Sequence, residues 1–199
     1  MTERLVLASG SPRRFELLAG LGLQFEIRPA DLDESHPDFE PGPMYVGRLA
    51  RAKAAQVARP DDVVIAADTT VDLDGELLGK PTDADAALVM LRRLSGRTHH
   101  VHTGVCVHRA TEPTPEIRSQ VVTTAVTFAE LPDTWIDWYV ETGEPFDKAG
   151  GYGMQGSAAL FVARIEGSPT NVIGLPLDTL FDLMTEVGTE PFSFSRSTP

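Results

Sequence analysis

Seven ionisable residues of this 199-residue sequence carry chemistry that can be read from type and spacing. Arg13 and Arg14 close the stretch LASGSPRR, just after the first apolar run. Lys53 lies on a helical stripe with Leu49 and Ala50, and Asp68 ends the apolar run VVIAAD. Lys80 follows LLG, Lys148 sits in FDKAGG, and Glu34 lies in an acidic loop. Groups at the ends of apolar elements or among glycines are aimed by rigid segments, while the loops leave room for a ligand. Five cations match a polyanion, because Arg offers a planar fork to phosphate oxygens and Lys a point charge. The two carboxylates match a hard divalent ion, which phosphates also coordinate. A carboxylate beside such an ion can take a proton from an attacking water. The combination fits metal-assisted hydrolysis of a nucleotide or another polyphosphate.

Each residue also has an ordinary reading. Isolated Arg and Lys side chains are usually solvated, an Asp after a strand often caps a turn, and Lys53 can snorkel from a helix. Composition and spacing leave both readings open. One feature favours the ligand. Arg13 and Arg14 fall at the start of a helical pattern, where cations are disfavoured, and a bound anion would offset that cost. The net charge of −12 does not forbid an anionic substrate. Distant charges are screened over about 8 Å, whereas each charge-assisted hydrogen bond in a pocket contributes roughly 1.5–3 kcal/mol.

The elements that must position these groups alternate along the chain. RLVLAS reads as a buried strand, with Ser9 or Ser11 as a cap and Pro12 at a first helical position. RRFELLAGLG is helical, QFEIRPA alternates like a strand, and MYVGRLARAKAAQVA is helical again. DDVVIAADTTV holds the run Val63 to Ala66, typical of a strand buried on both faces. VDLDGELLGK is a hairpin turning at Asp74-Gly75. A helix over Asp83 to Leu94, two long strands, a short helix at PDTWIDWYVETG and a glycine-rich irregular stretch follow. LFVARIEG reads as a strand and PLDTLFDLMTEVG as the last helix. The expectation is an α/β fold with a mixed sheet in one domain over 1–188, with an inserted lobe near 80–130 and a flexible tail over 189–199.

The acidic balance argues against general nucleic-acid or membrane-surface binding. A single cysteine, Cys106, excludes an internal disulfide framework and fits a reducing cytosol. Leu5 to Ala8 is too short for a signal peptide's apolar region, and no run approaches a membrane span. These observations predict a soluble cytoplasmic protein. There is no G-x-x-x-x-G-K-[ST] loop, G-x-S-x-G elbow, H-E-x-x-H or C-x-x-C. His100 and His102 would share a strand face, read here as a polar face in preference to a metal site.

Taken in order, LASGSPRRFELL, LDES, RLARAKA, AADTTV, LLGKP, LSGRTHHVHTGV, GEPFDKAGGYGMQG and SPTNVIGLPL resemble the Maf family of nucleoside triphosphate pyrophosphatases, first known as septum-formation inhibitors. The resemblance runs from Leu5 to about Leu183. It implies a fold similar to inosine triphosphate pyrophosphatases, an elongated mixed sheet flanked by helices, with two lobes around a central cleft, often as a homodimer. It implies hydrolysis of a nucleoside triphosphate between its α and β phosphates, giving the monophosphate and pyrophosphate, with Mg2+ or Mn2+.

The resemblance also implies roles. Asp68 matches the catalytic carboxylate, a general base and metal ligand, and Glu34 an acidic position near the metal. Ser9, Arg13 and Arg14 match the phosphate-contacting loop. Lys53, Lys80 and Lys148 match lysines that neutralise triphosphate charge. Arg13, Thr69 and Gln155 stand where the dTTP/UTP branch carries Arg, Thr and Gln, whereas the branch acting on 7-methyl-GTP usually has an aromatic residue and Glu at the first and last. The resemblance thus implies dTTP and UTP, and modified pyrimidine nucleotides, as substrates. Two other readings stand beside it. One is a nucleotide-binding regulator that restrains septum formation through a protein partner. The other is a phosphatase releasing orthophosphate.

Overall fold

The apolar run Val63 to Ala66 forms the start of the strand around which the chain is built. In a computed structural model describing residues 3–36, 40–111 and 113–195, seven strands make one mixed sheet and six α-helices flank it. The strands are β1 (Arg4–Leu7), β2 (Glu26–Ile27), β3 (Asp62–Leu73), β4 (Glu76–Leu78), β5 (Thr98–Arg109), β6 (Glu116–Phe128) and β7 (Val162–Glu166). The helices are α1 (Pro12–Gly20), α2 (Gly42–Val57), α3 (Ala84–Leu94), α4 (Asp133–Glu141), α5 (Pro169–Ile173) and α6 (Leu177–Glu186). The sheet order is β2-β1-β3-β5-β6-β7, with β4 also on β3. No helix among the described residues is long and apolar enough to cross a membrane.

Two strands share one edge of β3 and leave a gap between them. β1 runs parallel to its first part, Leu7 opposite Ile65. β4 returns antiparallel to its last part, Leu78 opposite Val71. The return is tight because Asp74 and Gly75 both take positive φ, 57° and 87°, as the two central residues of a primed hairpin turn must. Among the described residues, no strand covers Ala66 to Thr70 on that edge. The carboxyl ends of β1 and β4 meet at this gap, where loops following parallel strands ordinarily bind ligands.

Alternation along β3 sorts the core. Val63, Ile65 and Ala67 join Leu18 of α1 and Leu180, Leu183 and Met184 of α6 on one face. Further along the same face, Val71 and Leu73 meet Leu91 of α3, Tyr139 of α4 and Phe161. Val64 and Ala66 face the other way, against Ala50, Ala54 and Val57 of α2. Asp68 shares their parity and so faces α2, while Thr69 faces the side of α1 and α5. The close seat of α2 depends on Gly104, where any Cβ would collide with the Val46 carbonyl oxygen.

Several local expectations are corrected. QFEIRPA forms only the two-residue β2, because its partner β1 ends at Leu7, opposite Ile27, with one more bond from the Arg28 N–H to the Leu7 carbonyl at 3.0 Å. The helix expected from Met44 starts at Gly42, with Pro43 in its first turn. Ser11 stands at the N-cap of α1 but its side chain makes no capping bond; the Ser9 hydroxyl accepts from the Ser11 N–H at 3.2 Å and from Arg14. The glycine-rich stretch is organised into 3₁₀ turns at Glu144–Asp147, Ala149–Gly151 and Ser157–Phe161. In place of a free tail from Thr189, Pro191–Phe194 form a 3₁₀ turn and Ser195 bridges to Leu23. Thr189 itself is buried, and the Phe194 carbonyl takes the Gln24 N–H at 2.8 Å. Residues 196–199 lie outside the described residues.

Candidate functional site

The gap in the β3 edge opens into a cleft of about 640 Å³, within the range of small-molecule sites. Its lining includes Arg13, Arg14, Lys53, Lys80 and Lys148, with Glu34, Asp68 and Asp147 as the acidic members. Five cations against three carboxylates make this cleft locally basic in a chain of net charge −12. Ser9 and Thr69 also line it. Thus nine of the ten site residues expected from the sequence converge here, together with Glu34's partner Tyr45. The tenth, Gln155, is exposed and lies outside the lining, although its neighbours Gly153 and Met154 belong to it.

The acid–base centre is built across the α2–β3 contact. Lys53 Nζ lies 2.6 Å from Asp68 Oδ1 and 2.5 Å from Glu34 Oε1. Lys53 and Asp68 are both buried, while Glu34 is half exposed. Burial pushes the Asp68 carboxyl above its usual pKa, against the opposing pull of Lys53 and Arg14. Glu34 reaches the centre because its loop is tied to α2. The Tyr45 hydroxyl donates to the Glu34 carbonyl at 2.9 Å, and Arg48 pairs with Glu40 at 2.7 Å. Burial, together with the Asp68 and Glu34 charges, pushes Tyr45 up to about 12, so its phenol stays protonated.

The other side of the cleft is a guanidinium cradle at the start of α1. Arg14 donates from Nε to the Gly174 carbonyl at 2.8 Å, from Nη1 to Ser9 Oγ at 3.1 Å and from Nη2 to Thr69 Oγ1 at 3.0 Å. Burial lowers its pKa, opposed by Asp68, yet Arg stays charged at any working pH. Arg13 pairs with Asp147 Oδ2 at 2.8 Å, and Lys148 lies 2.5 Å from Asp147 Oδ1. Partial burial raises the Asp147 pKa, but the bonds from Lys148 and Arg13 prevail and hold it below the usual range. Lys80 reaches the cleft from the end of β4 and is exposed. The first turn of α1 has no acidic residue and no side-chain cap, so its N–H groups remain available to an anion.

Glu34 and Asp68 offer hard oxygen donors on one side of the cleft. A Mg2+ ion is commonly held by one or two carboxylates plus phosphate oxygens and water, so this donor set fits a metal that arrives with a nucleotide. Among the described residues, no three His, Cys, Asp or Glu side chains gather into a self-sufficient metal site. His102 bonds Thr123 Oγ1 through Nδ1 at 2.8 Å and has Asp72 3.5 Å from Nε2. Its ring stacks on His100, the two centroids 6.1 Å apart.

Sequence reasoning passed over Asp147, Tyr45, Thr103 and Asn171. Asp147 stands inside FDKAGG, next to the lysine that drew attention. Thr103 and Asn171 lie in RTHHVHTG and SPTNVIGLPL, stretches noticed without a role for these residues.

A family model described as Maf-like protein matches residues 4–187. A relative from Anaeromyxobacter dehalogenans, named dTTP/UTP pyrophosphatase, is 56% identical over 188 residues, covering 94% of this chain and 96% of its own length. Relatives of the same name come from Myxococcus xanthus, 52% identical over 92% of each chain, and Syntrophus aciditrophicus, 46% identical over 97% of this chain and 94% of its own.

Proposed function

The chain belongs to the Maf-like protein family, and on that premise we propose that it is a nucleoside triphosphate pyrophosphatase. It converts dTTP or UTP and water into the monophosphate and pyrophosphate. Relatives matched over nearly their whole length bear the name of that activity. The observation that carries the reading in this chain is one cleft lined by five cations and by the Lys53-linked pair Glu34 and Asp68.

In this reading Arg13, Arg14, Lys80 and Lys148 bind the triphosphate and orient it. Asp68 lies at the buried end, with Lys53 holding it in place. Its carboxylate accepts the proton of the water that attacks the α-phosphorus. Burial raises its pKa and makes it a stronger base than an exposed aspartate. The P–O bond to the β-phosphate breaks, and charge grows on the departing pyrophosphate, where fixed cations are worth most. Glu34 and Asp68 would hold a Mg2+ or Mn2+ ion, which supplies charge neutralisation of the phosphates when bound.

Arg13 presents an ion pair that substrate phosphate can exchange for, and Thr69 faces Arg14. Gln155 lies beside the cleft and its amide offers both a donor and an acceptor, matching the O4 and N3–H edge of uracil or thymine. The test is to incubate purified protein with a nucleotide panel, modified pyrimidines included, plus Mg2+ or Mn2+, and to identify the products with Asp68→Asn as control. Monophosphate and pyrophosphate are expected. Orthophosphate with diphosphate would mark a phosphatase, and tight binding without turnover a regulator.

A further inference from the structure

Arg14 has five N–H donors in a planar fork, and three of them are engaged by Gly174, Ser9 and Thr69. One N–H on each terminal nitrogen has no partner among the described residues. That pair is the set which bidentate phosphate recognition uses. What holds the fork in this attitude lies behind Thr69, on β5 and α5.

The protons of that support can be ordered. The Asn171 carbonyl oxygen can only accept, and Thr103 Oγ1 donates to it at 3.0 Å. Thr69 Oγ1 and Thr103 Oγ1 are 2.9 Å apart. The single Thr103 proton is committed to Asn171, so Thr69 is the donor of that bond. Only lone pairs are then left on Thr69 Oγ1, and Arg14 Nη2 donates to them. Thr69 is therefore an acceptor for Arg14 and has no proton to offer a substrate.

Besides this main-chain carbonyl, Asn171 also acts through its side chain. Its side chain is fully buried and donates from Nδ2 to the Val101 carbonyl at 3.0 Å and to Thr124 Oγ1 at 2.9 Å, fastening α5 onto β5 and β6. α5 ends at Gly174, whose φ is 117° and whose carbonyl receives Arg14 Nε. A Cβ at Gly174 would stand 3.2 Å from Thr69 Oγ1. Two arms thus run from Asn171 to the same guanidinium, one through hydroxyls and one through the helix end.

We propose that Thr103 and Asn171 are positioning residues for Arg14, holding its two unpartnered N–H groups toward the triphosphate. The inference rests on the reading of the cleft as a triphosphate site. The test compares Thr103→Val, which keeps the shape and removes the hydroxyl, with Thr103→Ser, which returns it. Loss of one hydrogen bond in a chain ending on a charged group corresponds to a fall in kcat/KM of about tenfold for Thr103→Val. The melting temperature should stay within about 4 °C of wild type. The Arg14 Nε–H resonance, sharp in wild type, should broaden. Thr103→Ser should restore both rate and resonance, and Thr103→Ala serves if the valine variant does not fold. Thr103→Val activity within about twofold of wild type, or a loss that Ser does not rescue, overturns the inference. A wild type that releases pyrophosphate from no nucleotide sinks the functional reading alone, since the Arg14 resonance still reports on the relay.

Discussion

Lys53 Nζ lies 2.6 Å from Asp68 Oδ1, in a contact where both side chains are about nine-tenths buried. The same ammonium touches Glu34 at 2.5 Å. One cation therefore holds together two carboxylates that would otherwise repel, and it does so from a helix that Gly104 allows to sit directly on the sheet. The acidic behaviour of the site follows from this triad.

Asp68 should govern the acid limb of activity. Burial, the largest influence, raises its pKa above the ordinary 3.8. Activity should fall as pH drops through that raised value, because a protonated Asp68 cannot accept the water's proton. A pH profile of kcat/KM for dTTP checks this, and a limb at or below the ordinary aspartate value would contradict it. Asp68→Asn should cost about 10²–10⁴-fold in kcat, with a nearly unchanged KM.

Lys53→Met should move that limb to higher pH. Lys53 lowers the Asp68 pKa both by its charge and by its hydrogen bond, and Glu34 raises it. Removing the cation leaves burial and the Glu34 charge without their main opponent. The variant should lose activity near neutrality and recover part of it as pH is raised. An unshifted limb would assign the titration to another group.

Gln155→Glu should weaken dTTP and UTP turnover more than that of purine triphosphates, since it removes the amide donor. Because Gln155 is exposed beside the cleft, its reach to a base depends on how the nucleotide lies. Specificity constants over a panel of bases measure the effect. Equal losses for every base would remove Gln155 from base selection.

His99 should make the fold acid-sensitive. It is fully buried, bonds Tyr152 through Nε2 at 2.7 Å, and burial pushes its pKa down to about 4. The unfolded chain binds the proton near pH 6.5 and the folded chain resists it to about 4. Stability should therefore fall between those values and level off below, by about 3 kcal/mol in all. Urea midpoints across that window should show a shallower slope in His99→Gln, which keeps a partner for Tyr152 and cannot titrate.

Much of the local structure was legible because it depends on neighbours in the chain. The apolar run before Asp68 marked a doubly buried strand, and Asp74-Gly75 marked the hairpin. Period-2 alternation even assigns Asp68 and Thr69 to opposite faces of β3 before any partner is known. QFEIRPA shows the limit. Its alternation is real, but the partner strand β1 ends at Leu7 and leaves two residues of strand.

By itself the sequence determined the residue types of a polyphosphate site, the strand and turn chemistry that carries them, and the family to which the chain belongs. Only the tertiary structure decided their company. Arg14 takes its acceptors from Ser9, Thr69 and Gly174, the last 160 positions away, and Arg13 meets Asp147 at a separation of 134. Helix periods, caps and turns arise from contacts a few residues apart and leave a mark in the local pattern. The partners of a buried charge are chosen by which strands pair and in what register, and that choice is made by burying the whole core at once.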